Sequence, residues 1–224
     1  MQCGIIHIYK DFPEDVYKHI KMTSEVSKKK LKRVQIILLG DHLVGKTSIL
    51  RRFVSDEFTY SSFDTLGIDF VTKNAKIGKD NVVIKMWDTA GQERFHNIAS
   101  SFYKQCQGVL VVFDVGSKLS FENIKRWLAN IRNLADPSII KYLIGNKIDI
   151  ENRDVMFEEA DLVAKESGMK YFETSAKNNI YISEAILGLA TEIYEQHAAG
   201  LVGEKGIRLQ MKGIEGKEGK GKCC

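Results

Sequence analysis

The sequence predicts an α/β fold: a six-stranded, mostly parallel sheet with one antiparallel edge strand and helices packed over it. Three observations carry this. Between residues 34 and 197, short runs rich in β-branched residues alternate with longer stretches of helical period, the pattern of parallel strands joined by crossover helices. One link, Gly78-Lys79-Asp80-Asn81, is a turn-forming cluster too short to hold a crossover helix, so the strands beside it form a hairpin. Only Pro13 and Pro137 are prolines, which leaves the predicted elements unbroken.

The first strand is placed at 34–39, an apolar run broken only at Gln35, and a glycine-containing loop leads from it to a helix at 47–54. The hairpin strands follow at 68–77 and 82–88. A strand at 109–114 precedes a helix at 120–133, and a strand at 139–145 precedes a helix at 157–166. The last pair is a strand at 170–173 and a helix at 182–196, where Ile182, Ala185, Ile186, Leu189 and Ile193 recur at three- and four-residue spacing and can lay one apolar stripe on the sheet.

A chain of 224 residues with 44% hydrophobic residues fits one domain with a sizeable core. Its net charge of +4 is unevenly placed: residues 1–33 carry +4 and residues 198–224 carry +3, so the body between them is at −3. A slightly acidic body with two basic ends argues against a nucleic-acid-binding domain, which gathers Lys and Arg on one folded face. It fits charged extensions near an anionic surface. No apolar stretch approaches the roughly 20 residues of a membrane span. The apolar patch at 4–8 is followed by Asp11, Glu14 and Asp15, not the order of a signal peptide, so a cytosolic chain is expected. Cys3, Cys106, Cys223 and Cys224 are too few and too irregularly spaced for a disulfide framework or a zinc site. Residues 1–33 are read as an N-terminal extension without fixed structure, 34–197 as the folded domain, and 198–224, with seven glycines and six basic residues, as a flexible tail. Met22 could itself serve as a start in an alternative gene model.

The strongest local signal is Gly40-Asp41-His42-Leu43-Val44-Gly45-Lys46-Thr47, a phosphate-binding loop between the first strand and the first helix. Gly45 lets backbone N–H groups turn inward, the helix offers its positive end, Lys46 supplies a point charge, and the Thr47 hydroxyl can ligate magnesium. Asp41, His42, Leu43, Val44, Gly45, Lys46, Thr47 and Ser48 are the candidate phosphate-binding residues. Alone, this pattern says only nucleotide phosphates. A second motif, from Trp87-Asp88-Thr89-Ala90 to Gly91-Gln92-Glu93-Arg94, puts Asp88 at a strand end where it can hold magnesium through water. Gly91 has no side chain to shield its N–H from a γ-phosphate, and Gln92 can orient an attacking water. Trp87 is read as core packing. The third signal selects the base. Asn146-Lys147-Ile148-Asp149 and Ser175-Ala176-Lys177 follow two strands on the side where α/β sheets bind ligands. The Asp149 carboxylate only accepts, and guanine offers two adjacent donors where adenine does not. The Ala176 N–H can donate to the guanine oxygen, and the stems of Lys147 and Lys177 can flank the ring.

At these residues the chain resembles the small GTPases of the Ras superfamily, most closely the Rab branch. Thr65-Leu66-Gly67-Ile68-Asp69-Phe70, the segment 87–95 and Phe102-Tyr103 carry the Rab likeness, together with the absence of a long insertion. The resemblance implies a P-loop NTPase G domain with six strands and five helices, a first switch around 55–68 and a second around 90–101. It also implies GTP/GDP and Mg2+ as cofactors, Thr65 ligating the metal and binding the γ-phosphate only in the GTP state, and Phe58 packing against the base. Both switches would relax when that phosphate leaves. Catalysis would rest on charge stabilisation by Lys46, magnesium and the loop amides, and on water placement by Gln92 and the Thr65 carbonyl. Arg94 is read as a switch-surface residue, the catalytic arginine coming from a GTPase-activating protein. Other implied partners are a guanine nucleotide exchange factor, a GDP dissociation inhibitor, a prenylation escort protein and effectors, around a monomer with no nucleic acid.

The chain departs from the resemblance at two places. His42 and Leu43 stand where relatives usually carry small residues, and Ser62, beside Phe63, where an aromatic is common. Slow intrinsic hydrolysis is therefore expected, and the alternative reading is a GTP-holding scaffold. A P-loop kinase or ATPase is disfavoured by the tetrad at 146–149. The terminal pair Cys223 and Cys224 resembles a double geranylgeranylation site, since Gly221 stands where a farnesyl-type signal needs its Cys. Lys217, Lys220 and Lys222 would add attraction to anionic lipid, placing the protein on the cytoplasmic face of an endomembrane or vesicle, cycling with the cytosol.

Overall fold

The computed structural model describes residues 33–60, 68–89 and 102–199. In chain order the elements are β1 (Arg33–Leu39), α1 (Lys46–Ser55), β2 (Ile68–Ile77), β3 (Asp80–Thr89), β4 (Gly108–Asp114), α2 (Lys118–Glu122), α3 (Ile124–Leu134), β5 (Ile140–Asn146), α4 (Phe157–Glu166), β6 (Lys170–Thr174) and α5 (Ile182–Ala198). They form one six-stranded sheet in the order β2-β3-β1-β4-β5-β6. Every neighbouring pair is parallel except β2 with β3.

Side chains of a strand alternate between faces, and both faces here are covered, which is why β1 and β4 read as apolar runs, with β1 interrupted only at Gln35 after Arg33. Ile36 and Leu38 of β1 pack with Ile49, Leu50 and Phe53 of α1 and with the Ile182, Ile186, Leu189 and Ile193 stripe of α5. Ile37 and Leu39 point the other way, into a second cluster with Ile124, Trp127 and Ile131 of α3 and Ala160 and Ala164 of α4. Each fully buried Val, Leu, Ile or Phe contributes about 1.5–3 kcal/mol relative to exposure, so the sheet centre carries most of the stabilisation. The parallel strands all present their carboxyl ends to one edge of the sheet, and that edge carries the loops of interest.

Several boundaries differ from expectation. The hairpin turn is Gly78-Lys79 alone: Ile77 pairs with Asp80, so Asp80 and Asn81 open β3 instead of belonging to the turn. Gly78 has φ 58°, and glycine at the first central position suits a two-residue turn whose twist matches the strands. The helix expected at 120–133 starts two residues earlier, where Ser117 accepts from the Ser120 N–H, and is broken at Asn123 into α2 and α3. Counting α2 and α3 as one, the described residues hold four helices against the five implied by the resemblance. Arg33 already belongs to β1 and α5 runs to Ala198. The rest of the expected N-terminal extension and tail lies outside the described residues, as do 61–67 of the expected first switch and all of the second. Among the described residues no helix is long and apolar enough to cross a membrane.

Candidate functional site

The loop after β1 is shaped by its backbone. Gly40 has φ 144°, and a Cβ there would lie 2.1 Å from the Val112 carbonyl oxygen of β4. Gly45 has φ 97°, and a Cβ there would lie 2.4 Å from Asn146 Nδ2. Val44, only 2% exposed, pins the loop to the core, while His42 and Leu43 face outward. Helix α1 begins at Lys46 with no side chain capping its first turn and no acidic residue in it. Its positive end is therefore available to an anion. Ser48 is half-buried in that first turn.

Lys46 is 5% exposed, and its Nζ donates to the carbonyls of Gly40 (2.9 Å) and Asp41 (2.7 Å). Burial pulls its pKa down to about 8, against the opposing pull of Asp88 and Asp41. Thr47 Oγ1 donates to Asp88 Oδ2 at 2.7 Å. The other carboxylate oxygen, Asp88 Oδ1, is buried without a partner, and burial raises the Asp88 pKa despite the Thr47 hydrogen bond and the Lys46 charge. An unsatisfied buried carboxylate oxygen beside a hydroxyl is a donor set for a hard divalent cation. The chain's own residues thus fit Mg2+ at Thr47 and Asp88.

The base side is built from side chains. Asn146, 1% exposed, donates through Nδ2 to the Val44 carbonyl (2.9 Å) and accepts at Oδ1 from Thr174 Oγ1 (3.2 Å) and the Ala176 N–H (3.4 Å). It ties the phosphate loop to the 174–176 segment. Asp149 accepts from Ser175 Oγ at 2.5 Å and stands 3.8 Å from Lys177 Nζ. Ser175 Oγ accepts in turn from the Asn178 N–H at 3.0 Å. Lys147, held at φ 68°, pairs with Asp114 at 2.6 Å. The Ala176 N–H, the expected donor to the base, is directed at Asn146 Oδ1 in this structure. Phe58 is half-buried against the core and meets Tyr60 edge-on at 5.3 Å.

Trp87 is 9% exposed between Phe70 (5.3 Å) and Phe102 (4.5 Å), in keeping with core packing. Thr65, Gly91, Gln92, Arg94, Ser62, Phe63, Cys223 and Cys224 lie outside the described residues.

Two groups of supporting residues escaped the sequence reading. Arg52 of α1 donates to the carbonyls of Ala176 (2.9 Å), Lys177 (3.1 Å) and Asp56 (2.7 Å), fixing the base loop and closing the end of its own helix. Nothing local in sequence signals this. Asp41 accepts from Asn123, Arg126 and Trp127, whose i, i+3, i+4 spacing marks one helix face and was the available clue.

Residues 35–195 match the family described as the Ras family. The chain is 38% identical over 191 residues to Ras-related protein Rab-10 of Diplobatis ommata, covering 85% of this chain and 94% of that one. It is 42% identical over 164 residues to GTP-binding protein ypt2 of Schizosaccharomyces pombe, covering 73% and 82%. Ras-related protein Rab-13 of Mesocricetus auratus is 40% identical over 160 residues, covering 71% and 79%. With the phosphate loop, the Thr47–Asp88 pair and the base loop gathered on one sheet edge, the chain belongs to the Ras family of small GTPases, in its Rab group.

Proposed function

We propose that this chain is a Rab-type switch in vesicle-mediated membrane traffic, binding GTP and GDP at the β-sheet's carboxyl edge and hydrolysing GTP to GDP. The observation that carries it is Asn146, which hydrogen-bonds the phosphate loop at Val44 and the base loop at Ala176 and so makes one site of two motifs. In this reading the amides of 41–48 and Lys46 hold phosphates, and Asp149, backed by Ser175 and Lys177, selects guanine. Thr47, Thr65 and Asp88 hold Mg2+, which neutralises phosphate charge when bound. Gln92 and Thr65 place the attacking water, and Gly91 gives its N–H to the γ-phosphate. Phe58 flanks the base.

Nucleotide extracted from the purified chain identifies what is bound, and single-turnover hydrolysis gives the rate. Guanine nucleotide and a rate lost in Gln92→Leu are expected; adenine nucleotide, or none, overturns the reading. No observation among the described residues favours the non-hydrolysing scaffold. Intrinsic turnover is expected to be slow, and to rise in His42→Ser/Leu43→Gly; equal rates remove the steric argument.

The attachment is proposed at Cys223 and Cys224 through two prenyl groups, stable where one chain is marginal. The protein then cycles between cytosol and the cytoplasmic face of an endomembrane, served by an exchange factor, an activating protein, a GDP dissociation inhibitor, an escort protein and effectors. Mass spectrometry of the native protein should find two isoprenoids, and an unmodified terminus excludes this anchor.

A further inference from the structure

Asp41 puts a carboxylate into a loop that receives phosphates, which is the wrong sign for the ligand. Like charges 4 Å apart repel by about 1 kcal/mol in water and more in a drier site. The side chain is nevertheless engaged on both oxygens. Oδ2 accepts from Asn123 Nδ2 at 2.5 Å, and Oδ1 accepts from Trp127 Nε1 at 2.8 Å and from the Arg126 guanidinium at 3.2 Å.

Asn123 lies between α2 and α3 with helical backbone, φ −68° and ψ −10°, and its side chain caps neither helix. Its Nδ2 is directed at Asp41. Trp127 is 3% exposed, and its buried indole N–H, which must find an acceptor, finds this one. The α2–α3 junction at Asn123 and the first turn of α3 thus turn three donors onto one carboxylate. The same residue's carbonyl accepts from Lys46 at 2.7 Å. Asp41 thus joins the phosphate-binding lysine to α3.

We propose that Asp41 is a positioning residue: gripped by Asn123, Arg126 and Trp127, it holds the phosphate loop against α3 in the shape that retains the nucleotide, and so sets the nucleotide's dissociation rate. The inference rests on the guanine-nucleotide reading of the loop. With Asp41 anchored through its side chain, the Lys46 ammonium can leave the Asp41 carbonyl for a phosphate without the loop following it. The carboxylate is meanwhile kept turned toward cationic and neutral donors.

The test is the dissociation of a fluorescent GDP analogue from the full chain, with the melting temperature of each variant recorded. Losing charge-assisted hydrogen bonds of this kind speeds release by about tenfold or more in Asp41→Asn, and losing one donor while keeping the ring speeds it by about threefold in Trp127→Phe. Asn123→Asp sets two carboxylates against each other and is expected to be the fastest. The double variant Asp41→Asn/Asn123→Asp restores a donor and acceptor in the opposite sense, so its release falls back below that of Asn123→Asp. A role in folding alone would make release follow the melting temperatures, whereas here release should change between variants whose melting temperatures match.

A second readout is the Trp127 indole proton resonance, one of only two in the chain and assigned by its loss in Trp127→Phe. It should move in Asp41→Asn while the Trp87 resonance stays. Variants that release the analogue at the wild-type rate, or a double variant as fast as Asn123→Asp, overturn the inference while leaving the nucleotide reading intact. A wild-type chain that retains no guanine nucleotide overturns the nucleotide reading itself, and the inference with it.

Discussion

The two halves of the proposed nucleotide site are made of different material. The phosphate half takes its path from the backbone, with Gly40 and Gly45 at φ 144° and 97° pressed against β4 and Asn146, and the side chains of Lys46 and Asp41 tie that path down. The base half is a mesh of side chains, with Asn146, Asp149, Ser175 and Arg52 each holding a backbone group or another side chain of that loop. A backbone-built half fails when a Cβ is added, whereas a side-chain-built half fails when a polar group loses its partner.

The largest effect should come from Gly40→Ala. Its new Cβ would overlap a backbone oxygen 2.1 Å away, and β4 sits in the sheet centre and cannot yield. Overpacking and positive-φ strain together cost about 3–5 kcal/mol, read as a lowered urea midpoint of the nucleotide-free protein. Gly45→Ala sharpens the point, because the atom it meets is a side-chain amide able to shift. Its fold should lose less than Gly40→Ala loses, while nucleotide affinity drops because the Asn146 tie is pushed aside.

Next is Asn146→Ala, which strikes both halves. It strands the Val44 carbonyl, the Thr174 hydroxyl and the Ala176 N–H in a buried place, at about 2–4 kcal/mol in total. The same denaturation measurement reads it. A loss under 1 kcal/mol would mean the two halves are independently held.

Smaller again is Arg52→Ala, confined to the base half. Losing its hydrogen bonds to Ala176 and Lys177 should cost about 1–2 kcal/mol and narrow the ratio of GDP to ADP affinity. Arg52→Lys should not restore that ratio, since one ammonium lacks the planar fork that reaches Ala176, Lys177 and Asp56 together. An unchanged ratio in Arg52→Ala would show that the base loop holds its shape without α1.

The same contrast explains what was legible in the sequence. Strands such as β1 and β4 announce themselves because both faces are buried over most of their length, which leaves runs such as 36–39 and 109–113 apolar throughout. The α2–α3 break does not, since the apolar period runs through Asn123, whose partner Asp41 lies 82 residues earlier. The phosphate loop was legible because glycines, lysine and threonine satisfy demands of a few adjacent residues. Asn146 was legible as part of a tetrad, but its partners were not: its hydrogen bonds run to Val44, 102 residues away, and to Ala176, 30 residues on. Arg52, 124 residues from Ala176, left no local trace.

The smallest expected effect tests whether the exposed tip of the phosphate loop is held by backbone shape alone. Leu43 shares the left-handed region with Gly45, at φ 61°, yet carries a side chain that is 59% exposed. Left-handed backbone costs a branched or bulky L-residue about 1–2 kcal/mol. Leu43→Gly removes that strain but adds roughly 0.5–1 kcal/mol of unfolded-chain entropy. Little burial is lost, because most of the side chain already faces outward. The net expectation is a stabilisation of at most about 1 kcal/mol, opposite in sign to Gly45→Ala only two residues on. The urea midpoint of the nucleotide-free protein measures it. A destabilisation exceeding 1 kcal/mol would mean that the Leu43 side chain holds the loop, and the division between a backbone half and a side-chain half would fail at its most exposed residue.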